Sequence, residues 1–196
     1  MTFPVLKKIT EKIISDEILT RYISVICDME FYHEPRDPEN AGGRVSYSIA
    51  GKAFAHDGSG GEFILLDDAS VAYNGSEGQC GRIAKNLDEF FSLIINCSCF
   101  LDYTDSGIYD DIDELIRLSE KMEMTFADDV EFFRGNLSVP FIEAKIKIAE
   151  FFEVNLYENI AEPVLLIFYK AATQEPKFIS YFKEKNGELT PSENII

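Results

Sequence analysis

The chain has 196 residues, 46 % of them hydrophobic and 27 % charged, which is the composition of a globular protein able to bury a core without disulfides or metal. Thirty-five acidic residues against eighteen basic ones give a net charge of −17. Such a charge argues against nucleic acid and anionic membranes as partners and attracts basic proteins over about 8 Å in physiological salt. The alternative is that the charge serves solubility alone.

The start of the chain predicts an intracellular location, in which its cysteines are expected to stay reduced. Met1–Lys8 lacks the long apolar stretch of a signal peptide, so we expect a cytoplasmic protein. The longest apolar run, Val164–Tyr169, has six residues, which is too few to span a membrane. Thiols in the cytoplasm stay reduced. The cysteines are Cys27, Cys80, Cys97 and Cys99.

Residues 7–31 are predicted to form one amphipathic helix. Apolar residues recur there at three- and four-residue steps, which places them on one face, and charged residues fill the other. The next segment, 33–43, contains two prolines and two glycines. That density of helix-breaking residues predicts a loop.

The segments that follow have the composition of β-strands. Val45–Ala50 alternates in the manner of a strand, and Gly58–Gly61 is predicted to be a turn. Glu62–Leu66 and Ser70–Tyr73 are β-prone runs separated by the short acidic connection Asp67–Ala69. Two such runs around a short turn predict an antiparallel hairpin.

The remainder of the chain is predicted to be mainly helical. The loop Gly75–Gly81 leads to a helix that Asn86 caps, with acidic residues in its first turn where they complement the helix dipole. The further predicted elements are helices over 110–122 and from Pro140, a helix or buried strand over 160–172, an extended stretch Phe178–Phe182 and a turn at Lys185–Gly187. Strands and helices in separate groups predict one α+β domain over residues 1–196, with a mainly antiparallel sheet flanked by helices.

Neither glycine-rich loop has the spacing of a nucleotide site. Gly58–Gly61 precedes a strand, whereas a dinucleotide-binding turn follows a strand and opens a helix. Gly75–Gly81 lies between a predicted strand and a predicted helix, but its glycine spacing is wrong and Glu77 would repel a phosphate. Both loops are therefore predicted to be tight turns in which glycine adopts positive φ.

Metal binding and nucleophilic catalysis have only weak candidates. Cys97-Ser98-Cys99 is not the Cys-x-x-Cys pair of zinc sites, although Cys80 and His56 offer two further ligands. Cys80 and His56 would also form a catalytic dyad if the fold brought them together. The simpler prediction is that Cys80 and Cys97 pack in the core and that His56 is a surface or turn histidine.

Eleven carboxylates lie between residues 102 and 131, opposed only by Arg117 and Lys121. A solvated helical face is one interpretation. The other is a surface that steers a basic partner, because aromatic residues interleave with the carboxylates. The predicted partner-binding residues are Asp102, Tyr103, Asp105, Tyr109, Asp110 and Asp111. A second candidate surface around the glycine loops consists of Asp57, Glu62 and Glu77.

A family resemblance lies between Gly51 and Phe100. The segments that carry it are Gly51–Phe54, Asp57–Phe63, Leu65–Asp68, Ser70–Val71, Tyr73, Ser76–Gly78, Gly81–Ala84, Asn86–Leu87, Glu89–Phe91 and Leu93–Ile94. A hairpin with an acidic turn, a Ser-Glu-Gly loop and an Asn-capped aromatic helix in this order resemble the SUKH superfamily, named for yeast cell-wall assembly and glucan-synthesis regulators. The best-matching core is 45–100, followed by a helical C-terminal part over 105–175.

The resemblance implies a binding module without a shared catalytic constellation, so we expect no enzyme activity, no cofactor and no metal. Bacterial members of the superfamily look like immunity proteins for polymorphic or contact-dependent toxins. Many such toxins are nucleases with basic clefts, which an acidic protein would occlude. The alternatives are a regulatory scaffold of the cell-wall or glucan-synthesis-regulator type and, less expected, a small hydrolase that uses Cys80 or a carboxylate pair.

Overall fold

The computed structural model describes residues 3–39, 41–76, 78–98, 111–128, 137–157 and 161–191. These residues form one α+β domain of six helices, a five-stranded sheet and a three-stranded sheet. The helices are α1 (Phe3–Ile14), α2 (Glu17–Cys27), α3 (Leu87–Asn96), α4 (Ile112–Asp128), α5 (Phe141–Phe152) and α6 (Ala161–Ala172). The strands are β1 (Glu30–Arg36), β2 (Val45–Tyr47), β3 (Gly51–His56), β4 (Glu62–Leu66), β5 (Val71–Asn74), β6 (Cys80–Ala84), β7 (Ser180–Lys183) and β8 (Leu189–Pro191).

The single N-terminal helix predicted over 7–31 is wrong. The helical path is interrupted at Asp16, between α1 and α2. The carboxylate of Asp16 caps α2 by accepting hydrogen bonds from the backbone N–H groups of Ile18 at 3.1 Å and Leu19 at 3.0 Å. α2 ends at Cys27, and the following residue, Asp28, has a left-handed φ of 46°. The chain then enters β1, which extends into the segment predicted to be a loop. Apolar periodicity continues through the break because α1 and α2 both pack on the same core.

The five-stranded sheet has the order β1-β3-β4-β5-β6 with every neighbouring pair antiparallel. The predicted hairpin is confirmed as β4 and β5, in which Phe63 pairs with Tyr73 and Leu65 with Val71. β3 was not predicted, because a bulge between Ala53 and Ala55 interrupts its alternation. The loop at 75–81 leads into the fifth strand, β6, rather than directly into a helix. Every residue of β6 is buried, so the strand has no alternation to reveal it.

The five-stranded sheet has apolar side chains on both faces. One face packs against the helices around Phe54, Phe63 and Phe90. The other buried cluster consists of Ala53, Ile64, Leu66, Ala72, Cys80 and Phe178. The ring of Tyr47 in β2 stacks on Phe178 with ring centroids 5.6 Å apart. The three-stranded sheet, with the order β2-β7-β8, thereby lies close to the second face.

Most of the C-terminal predictions are confirmed. Asn86 caps α3 by accepting a 2.9 Å hydrogen bond from the backbone N–H of Glu89. α4 covers most of the predicted 110–122 helix and runs on to Asp128, and Pro140 immediately precedes α5. Residues 160–172, for which the sequence allows a helix or a buried strand, contain the helix α6. The predicted turn near the end contains Gly187 with a φ of 87°. Among the described residues, no helix is both long enough and apolar enough to cross a membrane.

Candidate functional site

The acidic surface predicted between residues 102 and 131 lies only partly within the described chain. Asp111 is the described member of the first predicted set. The predicted residues that lie outside the described ranges are Asp102, Tyr103, Asp105, Tyr109 and Asp110, together with Glu77 of the second set.

Asp111 starts α4. Its carboxylate accepts a 3.1 Å hydrogen bond from the backbone N–H of Glu114, and its carbonyl accepts one of 3.0 Å from Leu115. The side chains of Leu115 and Ser119 are buried, and α4 packs against α6. Because one side of the helix is anchored in the core, the carboxylates on its other side are held on a fixed frame.

The carboxylates on the outer side of α4 form what we call the acidic face, which consists of Asp111, Asp113, Glu114 and Glu120. Glu114 is paired with Arg117, and hydrogen bonding to that guanidinium holds the pKa of Glu114 below its ordinary value. Asp113 and Glu120 form no ion pair with any residue in the described ranges. Both side chains are exposed and carry negative charge that no described residue neutralises, which is what a basic partner recognises at long range.

Asp57 belongs to the second candidate surface, and its predicted exposure is wrong. Its side chain is 2 % exposed. One carboxylate oxygen accepts hydrogen bonds from the backbone N–H and the hydroxyl of Ser59, both at 2.8 Å, and from the Gly61 N–H at 2.9 Å. The other oxygen accepts from the hydroxyl of Tyr73. Asp57 thus organises the β3–β4 turn and ties it to β5, because a carboxylate can accept several donors at once.

Gly61 is required in this turn because of close approach. A Cβ at that position would overlap the hydroxyl of Tyr73 and would lie 2.7 Å from Asp57 Oδ2. Burial, together with the hydrogen bond to the carboxylate and its negative charge, raises the pKa of Tyr73 above its ordinary value. The hydroxyl therefore stays protonated as a donor to Asp57.

Glu62 is the second corrected prediction, because it is also 2 % exposed. Its carboxylate accepts hydrogen bonds from Arg36 at 2.8 Å and from the hydroxyl of Tyr32 at 3.1 Å. It also accepts a 2.7 Å hydrogen bond from the backbone N–H of Glu39. The Arg36 guanidinium lies 4.2 Å from the centroid of the Tyr32 ring. Glu62 therefore holds the chain that follows β1 against the sheet and is not available to a partner.

Arg82 is a buried charged residue that is not among the residues predicted from the sequence. It is 2 % exposed, and its guanidinium donates to Asp68 at 2.7 Å, to the Ser70 hydroxyl, and to the Pro176 carbonyl at 3.3 Å. Partial burial would raise the pKa of Asp68, but hydrogen bonds from Ser70 and Arg82 outweigh it and lower that pKa. The signal that would have found Arg82 is its position as the single charged residue of the strand Cys80–Ala84.

The sheet register keeps the two groups of the hypothetical catalytic dyad apart. His56 pairs with Glu62, Glu62 with Asn74, and Asn74 with Cys80, so three strand spacings separate the ends of this row. Three spacings amount to about 14 Å, too far for a hydrogen bond. Cys80 is fully buried in the second apolar cluster. The structure therefore contradicts a Cys80–His56 dyad.

The described residues allow the metal site considered from the sequence to be checked. Within those residues, no group of three or more His, Cys, Asp or Glu side chains is arranged to hold a metal ion. Cys99, one of the four ligands considered, lies outside the described ranges.

No protein-family model, curated protein or solved structure matches the chain. The acidic face of α4 remains the part of the predicted surface that the structure places in solvent.

The buried tyrosines predict a loss of stability at alkaline pH. Burial is the main cause that raises the pKa of both Tyr47 and Tyr73. Above about pH 10 the unfolded chain releases these protons while the folded chain retains them, so rising pH favours unfolding. Each tyrosine contributes a slope of up to about 1.4 kcal/mol per pH unit.

Urea unfolding at stepped pH from about 9 to about 11 measures this slope. Tyr73→Phe should make the alkaline decline shallower, because one of the protons that the folded chain retains no longer contributes. Tyr157→Phe is the matched control, since that ring is 42 % exposed and lies outside both clusters. A free energy of unfolding that stays flat across this range would contradict the assignment.

Proposed function

We propose that the chain is a protein-binding module of the immunity type, which blocks a toxin domain by covering its basic site. The observation that carries the proposal is the acidic face of α4, where the exposed Asp113 and Glu120 form no ion pair with a described residue and the helix is anchored by Leu115. A surface that is rigid before binding loses little conformational entropy on docking. The net charge of −17 extends the attraction beyond the contact residues.

The hydrogen bonding of the buried ionisable groups supports a binding role over a catalytic one. Asp57, Glu62 and Arg82 have their hydrogen-bonding capacity taken up by turns and strands of the same chain. A catalytic carboxylate or guanidinium needs access to a substrate. These three groups instead rigidify the sheet that carries the helices. The resemblance of residues 51–100 to the SUKH superfamily supports the same proposal, since its members are binding modules.

The decisive experiment is co-expression of the chain with the product of the neighbouring gene. A complex that survives purification, together with protection of cells from that product, would support immunity. A complex with a cell-wall or glucan-synthesis component and no protection would support the regulatory scaffold instead. Absence of a complex with a basic neighbouring product would refute the immunity proposal.

Removing charge from the acidic face should slow association with the basic partner. The triple variant Asp111→Asn, Asp113→Asn, Glu120→Gln is expected to reduce the association rate on the order of tenfold and to flatten its dependence on salt. Asparagine at 111 keeps the helix cap, so the change tests charge and not folding. Asp105→Asn and Asp110→Asn, in the same acidic stretch of sequence, should add to the effect.

Stopped-flow association at several salt concentrations provides the measurement. The matched control is Glu11→Gln, Glu17→Gln, Glu162→Gln, which removes the same number of exposed charges from other helices. If both triple variants slow association equally, the net charge steers the partner and the acidic face is not the interface.

A further inference from the structure

The three-stranded sheet carries a positively charged depression in this acidic protein. The depression has a volume of about 570 Å³, within the range of ligand sites. Its lining consists of Arg44, Phe182, Lys183, Glu184, Lys185 and Asn186. It shares no residue with the acidic face of α4, so its role is separate from the proposed toxin interface.

Strand pairing brings the cations of the depression together. Arg44 immediately precedes β2, whose first residue, Val45, pairs with Phe182 of β7. The backbone N–H of Lys183 donates a 2.7 Å hydrogen bond to the Arg44 carbonyl. Lys185 follows in the turn between β7 and β8. Residues more than 130 positions apart in sequence therefore supply one site.

Arg44 is oriented by the protein before any ligand arrives. Its Nε donates a 3.1 Å hydrogen bond to the Ala41 carbonyl, and its guanidinium carbon lies 5.5 Å from the centroid of the Phe182 ring. The terminal nitrogens of such a guanidinium suit bidentate recognition of an oxyanion. Ala41 has a left-handed φ of 47°, followed by positive φ at Gly42 and Gly43. A non-glycine residue in that conformation is strained, and the strain lies where it positions the carbonyl that orients Arg44.

The charge of the depression is not neutralised within the described chain. Arg44, Lys183 and Lys185 form no ion pair with any described residue, and one carboxylate, Glu184, lines the same depression. Elsewhere on the surface, three lysines each reach a carboxylate at 2.6–3.0 Å. These lysines are Lys7, Lys52 and Lys147. With 35 acidic residues in the chain, three cationic residues that line one depression and have no ion-pair partner among the described residues indicate a site for an external anion.

We propose that this depression binds a phosphate ester carried on a planar apolar group. Three cations and one carboxylate leave two positive charges, which match the charge of about −1.5 to −2 on a phosphate monoester at neutral pH. The Arg44 fork takes the phosphate oxygens, Lys183 and Lys185 complete the neutralisation, and the Phe182 ring, 38 % exposed, contacts the planar group. A carboxylate supplies half that charge and fits less well.

The overall negative charge opposes this binding only weakly in physiological salt. Charges farther away than the Debye length of about 8 Å are screened, whereas the cations in contact with the ligand are not. Affinity should therefore fall as salt rises at low ionic strength, because local attraction dominates. Repulsion from the rest of the protein would give the opposite slope.

The test is a titration with phenyl phosphate, followed by amide chemical shifts of the full-length protein. Shifts should concentrate at Phe182, Lys183 and Lys185, and inorganic phosphate and benzoate should bind more weakly. Arg44→Gln should weaken phenyl phosphate binding on the order of tenfold. Phe182→Leu should reduce the preference for phenyl phosphate over inorganic phosphate.

Lys170→Gln is the matched control, because it removes an exposed positive charge from α6, outside the depression. If it weakens binding as much as Arg44→Gln, or if benzoate binds as tightly as phenyl phosphate, the proposal is overturned. Shifts spread evenly over all lysines would also overturn it. Circular dichroism checks folding, and if Arg44→Gln is unfolded, Lys185→Gln in the exposed turn decides by the same loss of affinity.

Discussion

Asp57→Ala is expected to lower the free energy of unfolding by about 3 kcal/mol. The substitution removes the acceptor for four hydrogen bonds and leaves two buried donors, the Gly61 N–H and the Tyr73 hydroxyl, without it. A buried donor that loses its partner costs about 1–3 kcal/mol, whereas the partly exposed Ser59 can turn to water. The β3–β4 turn should also become more mobile, because its organising group is gone.

Urea unfolding monitored by circular dichroism gives this free energy. Asp67→Ala is the control, because Asp67 is an exposed carboxylate in the next turn of the same sheet, and it should change stability by less than about 0.5 kcal/mol. Asp57→Asn should fall between the two, since the amide oxygen still accepts while the charge is lost. Equal stability of the Asp57 and Asp67 alanine variants would show that the buried cluster does not stabilise the fold.

Arg82→Met is expected to cost about 2–3 kcal/mol, which is less than the usual loss on breaking a buried ion pair. The reduction arises because Asp68 is 43 % exposed and can be hydrated once its partner is removed. The Ser70 hydroxyl and the Pro176 carbonyl lose a donor in the interior. Methionine fills a similar volume, so the change tests the polar contacts more than the packing.

Two measurements distinguish Arg82 from an ordinary core residue. The pKa of Asp68 should rise in Arg82→Met, because a hydrogen bond and a positive charge that lower it are removed. Hydrogen exchange should accelerate more at Tyr181 and Phe182 in β7 than in β4, since Arg82 links β6 to the segment that precedes β7. Uniform acceleration in both strands would mean that Arg82 stabilises the whole domain without a special link to the C-terminal strands.

Local signals in the sequence were sufficient for part of the fold. Asn86 capped its helix as predicted, and the β4–β5 hairpin formed as its two β-prone runs and the acidic turn between them indicated. The break at Asp16 was missed, because two helices that pack on one core preserve a continuous apolar period. The buried strand β6 was missed, because it has no alternation and its sequence, Cys-Gly-Arg-Ile-Ala, lacks the β-prone run that indicated the equally buried β4.

The candidate site was harder to predict, because burial of a carboxylate depends on distant residues. Asp57 and Glu62 sit beside glycine turns, where carboxylates are usually solvated, but Tyr73 and Arg36 bind them from 16 and 26 positions away. The glycine-rich run Gly58–Gly61 indicated the turn, but it carries no information on the burial of the neighbouring Asp57 carboxylate. Asp111 is exposed as predicted, but it caps α4, whereas the predicted helix began at residue 110.

Because β2 pairs with β7, the fold cannot be completed until the C-terminal part of the chain has been synthesised. The five-stranded sheet is finished at residue 84, yet Phe178, which is 1 % exposed, packs on its second face only after roughly ninety more residues have been added. At a synthesis rate of about 5–20 residues per second, Ile64 and Leu66 remain without their contact to Phe178 for roughly 5–20 s during translation. An apolar face that is exposed for seconds promotes aggregation or chaperone binding. The negative charge of the chain opposes aggregation, because nascent copies repel one another.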